Sequence, residues 1–288
     1  MTALLHRVWF CLLLLAAPLA ARAEPALWRL GDADSTIYLF GTIHLLHPDM
    51  TWQSPKIAAA FAEAEELWLE ADVSALATFG PVMRYGVSYG LPLSKALTPD
   101  DLTRVLRILE PQGVPLGTIN HLRPWLVAIM IATIPSQKAG FVMEEGADMV
   151  LQREATGRQL PIRRLESVSD QLKPFASLTP DQEIAVLLDA LDAYEHPEGD
   201  NTAELANAWL KGDEATLGAL LAADSQIGEQ GPLYDGLIVQ RNAAWVKKIE
   251  ERLAGSGISF IAVGAGHLVG PDSVIAMLAA RGLKAERQ

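Results

Sequence analysis

Cysteine is almost absent: the only one among 288 residues is Cys11. Beyond residue 23 the chain therefore has no disulfide framework, no thiolate metal site and no cysteine nucleophile. Basic charge is scarce too. The 23 Lys and Arg stand against 35 Asp and Glu, a net charge of −12, which repels phosphate backbones and argues against nucleic acid as a partner. The densest basic cluster, Arg158 with Arg163 and Arg164, is too small to reverse that balance. Several motifs are missing: a Gly-x-Ser-x-Gly elbow, a P-loop, a dinucleotide fingerprint and a His-Glu-x-x-His helix. The chemistries that need them lack their signatures here. Gly and Pro, 22 and 17 residues, are at ordinary globular levels, which excludes collagen and low-complexity chains.

The longest apolar run near the start, Val8 to Ala17, has ten residues. A bilayer span needs about 20. His6 and Arg7 precede the run, Pro18 breaks it, and Ala21-Arg22-Ala23 supplies a small-x-small cleavage site. Residues 1–23 are thus expected to be a secretory signal peptide, cleaved before Glu24. The expectation is an exported protein, periplasmic or secreted, with no stable membrane span once the signal is removed.

Ser35 to Ile43 is rich in β-branched and aromatic residues and predicts a buried strand. Ser54 to Ala64 has helical spacing and a Ser-Pro start, and Glu66 to Glu70 predicts a second strand, which together make a βαβ unit. Thr98-Pro-Asp-Asp and Thr179-Pro-Asp-Gln-Glu open two helices with good caps. Gly146 to Thr156 predicts a helix and Pro161 to Leu165 a strand. Tyr234 to Leu253 predicts a long amphipathic helix, Ser259 to Val263 a buried strand, and Leu283 to Ala285 a last one. No linker divides the chain. The expected fold is one α/β domain over 24–288: a mixed, largely parallel central sheet flanked by helices, with a mainly helical insertion at about 92–225.

Two histidines share a context. Tyr38-Leu-Phe-Gly-Thr-Ile-His44 and Ile261-Ala-Val-Gly-Ala-Gly-His267 both read strand, Gly, two residues, His. Open α/β sheets bind ligands beyond the carboxyl ends of their strands, where both histidines would stand. Glu70 and Glu166 end two further strand candidates. Each residue also has a plainer reading. Glu166 could be a surface carboxylate, and Asp148 could simply favour the first turn of its helix. Arg241 could pair with an acidic neighbour, or point at the site and hold a substrate carboxylate or an oxyanion. His47, before Pro48, suits a turn, and His121 and His196 suit helix boundaries.

The chain resembles the TraB/GumN family, to which the Tiki proteases belong. The resemblance rests on Leu39-Phe-Gly-Thr-Ile-His44, Leu67-Trp-Leu-Glu70, Pro124-Trp125, Gly146-Ala-Asp148, Leu165-Glu166, Arg241-Asn242 and Ala262-Val-Gly-Ala-Gly-His-Leu268. Ala147 stands where the family often has Val. The resemblance implies a fold shared with erythromycin esterases and ChaN-like haem-binding proteins. It also implies a metal-dependent peptidase activity, as in the Tiki members, with His44, Glu70 and His267 at the centre and Glu166, Asp148 and Arg241 in support.

Three functions are therefore in play. The first is an exported hydrolase of a peptide or amide bond in which His44, His267 and Glu70 bind a divalent metal, Mn, Co or Zn, and leave a position open for water. The second is a metal-independent, esterase-like hydrolase or transferase, with a glutamate and a histidine moving the proton. The third is a protein that binds haem or a small ligand through a histidine.

Overall fold

The computed structural model describes residues 24–88, 90–197, 201–223 and 231–288; the expected signal peptide, 1–23, lies outside them. The elements run β1 (Leu27–Gly31), β2 (Ser35–Thr42), α1 (Pro55–Glu63), β3 (Glu66–Leu69), α2 (Ala75–Tyr85), α3 (Leu93–Ala96), α4 (Pro99–Leu109), α5 (Leu116–Ile119), α6 (Pro124–Lys138) and α7 (Ala147–Gly157). They continue with β4 (Ile162–Arg164), α8 (Val168–Ala176), α9 (Pro180–Glu195), α10 (Asn201–Leu210), α11 (Glu214–Ala222), a π-helical turn (Asp235–Val239), α12 (Gln240–Leu253), β5 (Gly257–Gly264), α13 (Val274–Ala280) and β6 (Glu286–Arg287). Among the described residues no helix is long and apolar enough to cross a membrane.

The sheet order is β4-β3-β5-β2-β1-β6. The inner pairs β4–β3, β3–β5 and β5–β2 are parallel, while β1 runs antiparallel to both β2 and β6. The mixed, largely parallel α/β sheet is as expected. Alternation along the strands sends side chains to two faces. Phe40, Leu67, Leu69 and Phe260 face a core shared with α1, α7, α10 and α11. Ile37, Leu39, Ile261 and Val263 face a second core against α12 and α13. Each fully buried Phe or Leu contributes about 1.5–3 kcal/mol, so the central strands are held firmly from both sides.

Helix starts follow the caps read from the sequence. Ser54, Thr98 and Thr179 each accept a backbone N–H at the heads of α1, α4 and α9. The stretch at about 92–225 is mainly helical, as expected, and its helices divide between two cores. Helices begin earlier, at Ala75, and the third core is built from Leu93 to Ile134 and Leu178 to Leu191. Between these stretches the chain returns to the sheet as α7 and β4, because Ala147, Leu151 and Ala155 bury against the sheet core. α10 and α11 return as well, anchored by Trp209 and Leu217. The last strand is Glu286–Arg287, not Leu283–Ala285; Leu283 and Ala285 pack on the α12–α13 core instead. β1 was not anticipated, although Gly31-Asp-Ala-Asp34 between two apolar runs is a turn signal.

Candidate active site

β2 and β5 pair in parallel from Ser35↔Gly257 to Thr42↔Gly264. His44 follows the end of β2, and His267 lies on a single 3₁₀ turn directly after β5. On the other side of β5, β3 brings Glu70 to the same rim. The β3–β4 pairing continues past both strands, with Leu165 and Glu166 donating their N–H groups to the carbonyls of Leu69 and Glu70 at 2.9 Å each. Glu166 therefore arrives beside Glu70. The residues read from the sequence do meet, although most of the chain separates His44 from His267, because adjacent parallel strands end at one edge.

Glu70 is nearly buried, and both of its oxygens are engaged. Oε1 accepts the Gly264 N–H at 2.6 Å. Oε2 accepts Arg241 Nη2 at 2.8 Å and Gln171 Nε2 at 3.1 Å. Burial opposes its charge, but His267, Arg241, His44 and the Gly264 N–H together pull its pKa down to about 2. Burial first, then the Arg241 and His44 charges, depress His267 to about 3 against the opposing pull of Glu70. His267 is therefore neutral at neutral pH, and the lasting counter-charge to Glu70 comes from Arg241. A guanidinium so close to a carboxylate favours the ionised form.

Arg241 is the hub of the site. Nε donates to both oxygens of Glu166 at 2.9 and 3.1 Å, and Nη2 donates to Glu166 at 2.5 Å and to Glu70. Nη1 donates to the Leu237 carbonyl at 3.1 Å and lies 3.2 Å from His267 Nε2. The guanidinium also stacks over Trp245 at 4.8 Å. A guanidinium has five N–H donors, and all five are used here. That corrects the reading in which its fork grips a substrate carboxylate or oxyanion: Arg241 holds protein groups, not substrate. Glu166 is not a surface carboxylate either, since 6% of its side chain is exposed. Burial raises its pKa, against the opposing pull of Arg241.

His267 Nδ1 is 2.6 Å from Asn242 Oδ1, while Asn242 Nδ2 donates to the Asp272 carbonyl at 2.8 Å. The Asn242 amide is thereby oriented with its oxygen toward the ring, so Nδ1 carries the proton and Nε2 faces Arg241 as an acceptor. Asn242 is fully buried. Its role was not read from the sequence, nor was that of Gln171. The Arg241-Asn242 adjacency on α12 was the signal for the first; Gln171 had none.

His44 differs from His267. Its side chain is 58% exposed, and Nδ1 lies 3.2 Å from Asp148 Oδ1, at the head of α7. The alignment is poor, so Oδ1 accepts no well-formed hydrogen bond among the described residues. Desolvation opposes the charge, but Asp148 beside the ring, aided by Glu70, raises its pKa to about 9. Gly146 makes this pairing possible. A Cβ there would lie 2.3 Å from the His44 carbonyl oxygen, so only glycine lets the start of α7 come this close. Gly264 is the second such position. A Cβ on it would stand 3.1 Å from Glu70 Oε1, 3.6 Å from the His267 ring and 3.7 Å from His44 Nε2. The three side chains therefore border one small space.

That space does not fit a metal shared by His44, Glu70 and His267. The Nε2 lone pair of His267 is directed at Arg241, and that fixed cation also holds Glu70 Oε2. Among the described residues no three His, Asp or Glu side chains are grouped as metal ligands. His47 is a turn residue, accepting the Asp49 N–H and packing edge-on to Phe141. His196 closes α9, and His121 precedes α6.

Residues 26–287 match the TraB/PrgY/gumN family, and the chain belongs to it. An uncharacterized protein of Escherichia coli K12, YbaP, is 27% identical over 84% of this chain and 87% of its own length. An uncharacterized protein of Treponema pallidum is 22% identical over 92% of this chain and 83% of its own length. No solved structure matches the chain.

Proposed function

From membership of the TraB/PrgY/gumN family, we propose that this protein is an exported, periplasmic or secreted hydrolase that cleaves a peptide or amide bond over Gly264. One observation carries the reading: His44 Nε2 and Glu70 Oε1, from different strands, border the open space that Gly264 leaves by lacking a Cβ. A scissile carbonyl and a water fit the chemistry of that space. Glu70 is too acidic to keep a proton at neutral pH, so its part is to accept a hydrogen bond from the water and orient it. The exposed His44 ring, in its neutral form, takes the proton. Asp148 stabilises the imidazolium, which then returns the proton to the leaving nitrogen. Arg241 keeps Glu70 ionised and aimed, and Asn242 keeps His267 neutral against Arg241.

Against the metal-dependent version stands the Nε2 lone pair of His267, which is directed at Arg241, and no step is assigned to a metal. The haem-binding version is disfavoured by the large cleft beside the site. Among the described residues that line it there is no histidine to serve as an axial ligand.

The test is a pooled peptide library incubated with the purified protein, with products read by mass spectrometry before and after exhaustive chelation. Cleavage that survives chelation and falls at least about 100-fold in His44→Ala is expected, since a general base contributes on the order of 10²–10⁴. Cleavage that stops on chelation and returns with Mn²⁺, Co²⁺ or Zn²⁺ would overturn the metal-free step. Equal turnover in His44→Ala would overturn the site.

A further inference from the structure

We propose that the cleft on the far side of the Arg241–Glu166 pair binds the free C-terminal carboxylate of a peptide, through Arg164 and Lys248. The proposal rests on the hydrolase reading for its choice of ligand. The cleft encloses about 980 Å³, within the range of ligand sites. β4 ends at its floor, α8 forms one wall, and the π-helical turn with α12 forms the other. Single π turns inside helices occur often at functional sites, and this one sets Asp235 and Gly236 on the cleft wall.

Charge is the second observation. The whole chain carries −12, yet the cleft is lined by four basic residues, Arg164, Lys173, Arg241 and Lys248, against three acidic ones, Glu166, Asp170 and Asp235. Most of these charges are already paired. Lys173 holds Asp170 at 2.7 Å, every donor of Arg241 is spent, and Asp235 accepts a bond from Gln240. Two cations remain. Arg164 is half-buried, and its guanidinium reaches only the Arg163 carbonyl at 3.3 Å and the Gln152 amide oxygen at 3.1 Å. Asp72 opposes its charge from a distance; among the described residues no carboxylate lies within ion-pair distance of it, and Lys248 has neither a hydrogen-bond nor an ion-pair partner there.

A partly desolvated cation whose opposing charge makes no direct bond to it is poorly compensated. A ligand carboxylate would supply that bond and match the planar fork of Arg164. A peptide held there by its terminus would lie against Arg241 and Glu166, the pair that on its other side holds Glu70. The enzyme would then prefer bonds near a free C-terminus to internal ones.

The probe is a pool of dansyl-labelled hexapeptides made in free-acid and amidated forms. Binding is read by fluorescence anisotropy on the full exported protein and on Arg164→Gln, Lys248→Gln and the double variant, each checked for an unchanged circular dichroism spectrum. The acid pool should bind at least about tenfold more tightly than the amide pool, and the double variant should lose that difference. In turnover, the variants should raise KM for acids and leave kcat unchanged. Equal binding of both pools, no binding of either, or an acid preference that survives in the double variant would overturn the proposal. Acid-selective binding without cleavage would uphold the cleft assignment and overturn the hydrolase reading. Cleavage that ignores the terminus would do the reverse.

Discussion

Replacing Arg241 by lysine keeps the charge and removes the geometry. Lysine has three donors around a single nitrogen. It cannot reach Glu166, Glu70, the Leu237 carbonyl and His267 together, as the guanidinium does. Glu70 and Glu166 would stay side by side and nearly buried, with one ammonium unable to bond both as the planar fork does. Removing a partner from a buried pair costs about 3–5 kcal/mol; the retained charge reduces this to roughly 2–3 kcal/mol for lysine. For a chain of this size each kcal/mol moves Tm by about 2–4 °C, which makes the expected drop about 4–12 °C. Activity should fall further than stability explains. Glu70 would lose its orientation, and a displacement of about 1 Å costs on the order of 10²-fold. The assay is calorimetric melting with kcat/KM measured well below the lowered Tm. Glu166→Gln is the control: it can still accept hydrogen bonds from Arg241 and leaves that charge wholly to Glu70, so turnover should change little. A lysine variant that melts within about 1 °C of wild type and turns over normally would refute the hub argument, because a single ammonium cannot reproduce a planar five-donor fork.

Three further outcomes are expected. If neutral His44 is the base, kcat/KM should climb about tenfold per pH unit from pH 7 until it levels near 9, and Asp148→Asn should move that inflection downward; a profile flat from 7 to 9 would remove His44 from the proton-transfer step. Acid should destabilise the fold in a defined window. His267 and Glu70 both have folded pKa values below their unfolded ones, about 3 and about 2, so the unfolded chain binds more protons and stability is lost as pH falls from the ordinary histidine range through 3 and 2; chemical denaturation of wild type against His267→Gln should show a shallower loss in the variant, and identical pH slopes would contradict the assignment. Gly264→Ala should fold, since its nearest contact at 3.1 Å is the tip of Glu70, but it should lose most turnover by filling the reaction space; full activity would place the chemistry elsewhere.

The strands and their ends were legible because their signals are local. β-branched runs closed by Gly-x-x-His mark β2 and β5, and Ser54, Thr98 and Thr179 mark helix starts through hydrogen bonds made within three residues. Placing His44, Glu70 and His267 at one rim needed only the rule that adjacent parallel strands end on the same side. What each residue does there depended on contacts between distant segments. Arg241 looks in the sequence like any helix arginine. Only the packing of α12 against the ends of β3 and β4 commits all its donors and turns a possible substrate clamp into a fixed counter-ion. The same packing separates the two histidines: Asn242 and Arg241 bury and neutralise His267, while Asp148, brought in by the Gly146 contact with the His44 carbonyl, leaves His44 exposed and more basic. The division of the helices was hidden for a related reason. Helical periodicity tells that a face is apolar, not which core it meets, and burial of Leu151 and Trp209 against the sheet decided that α7 and α10 belong to the α/β layer.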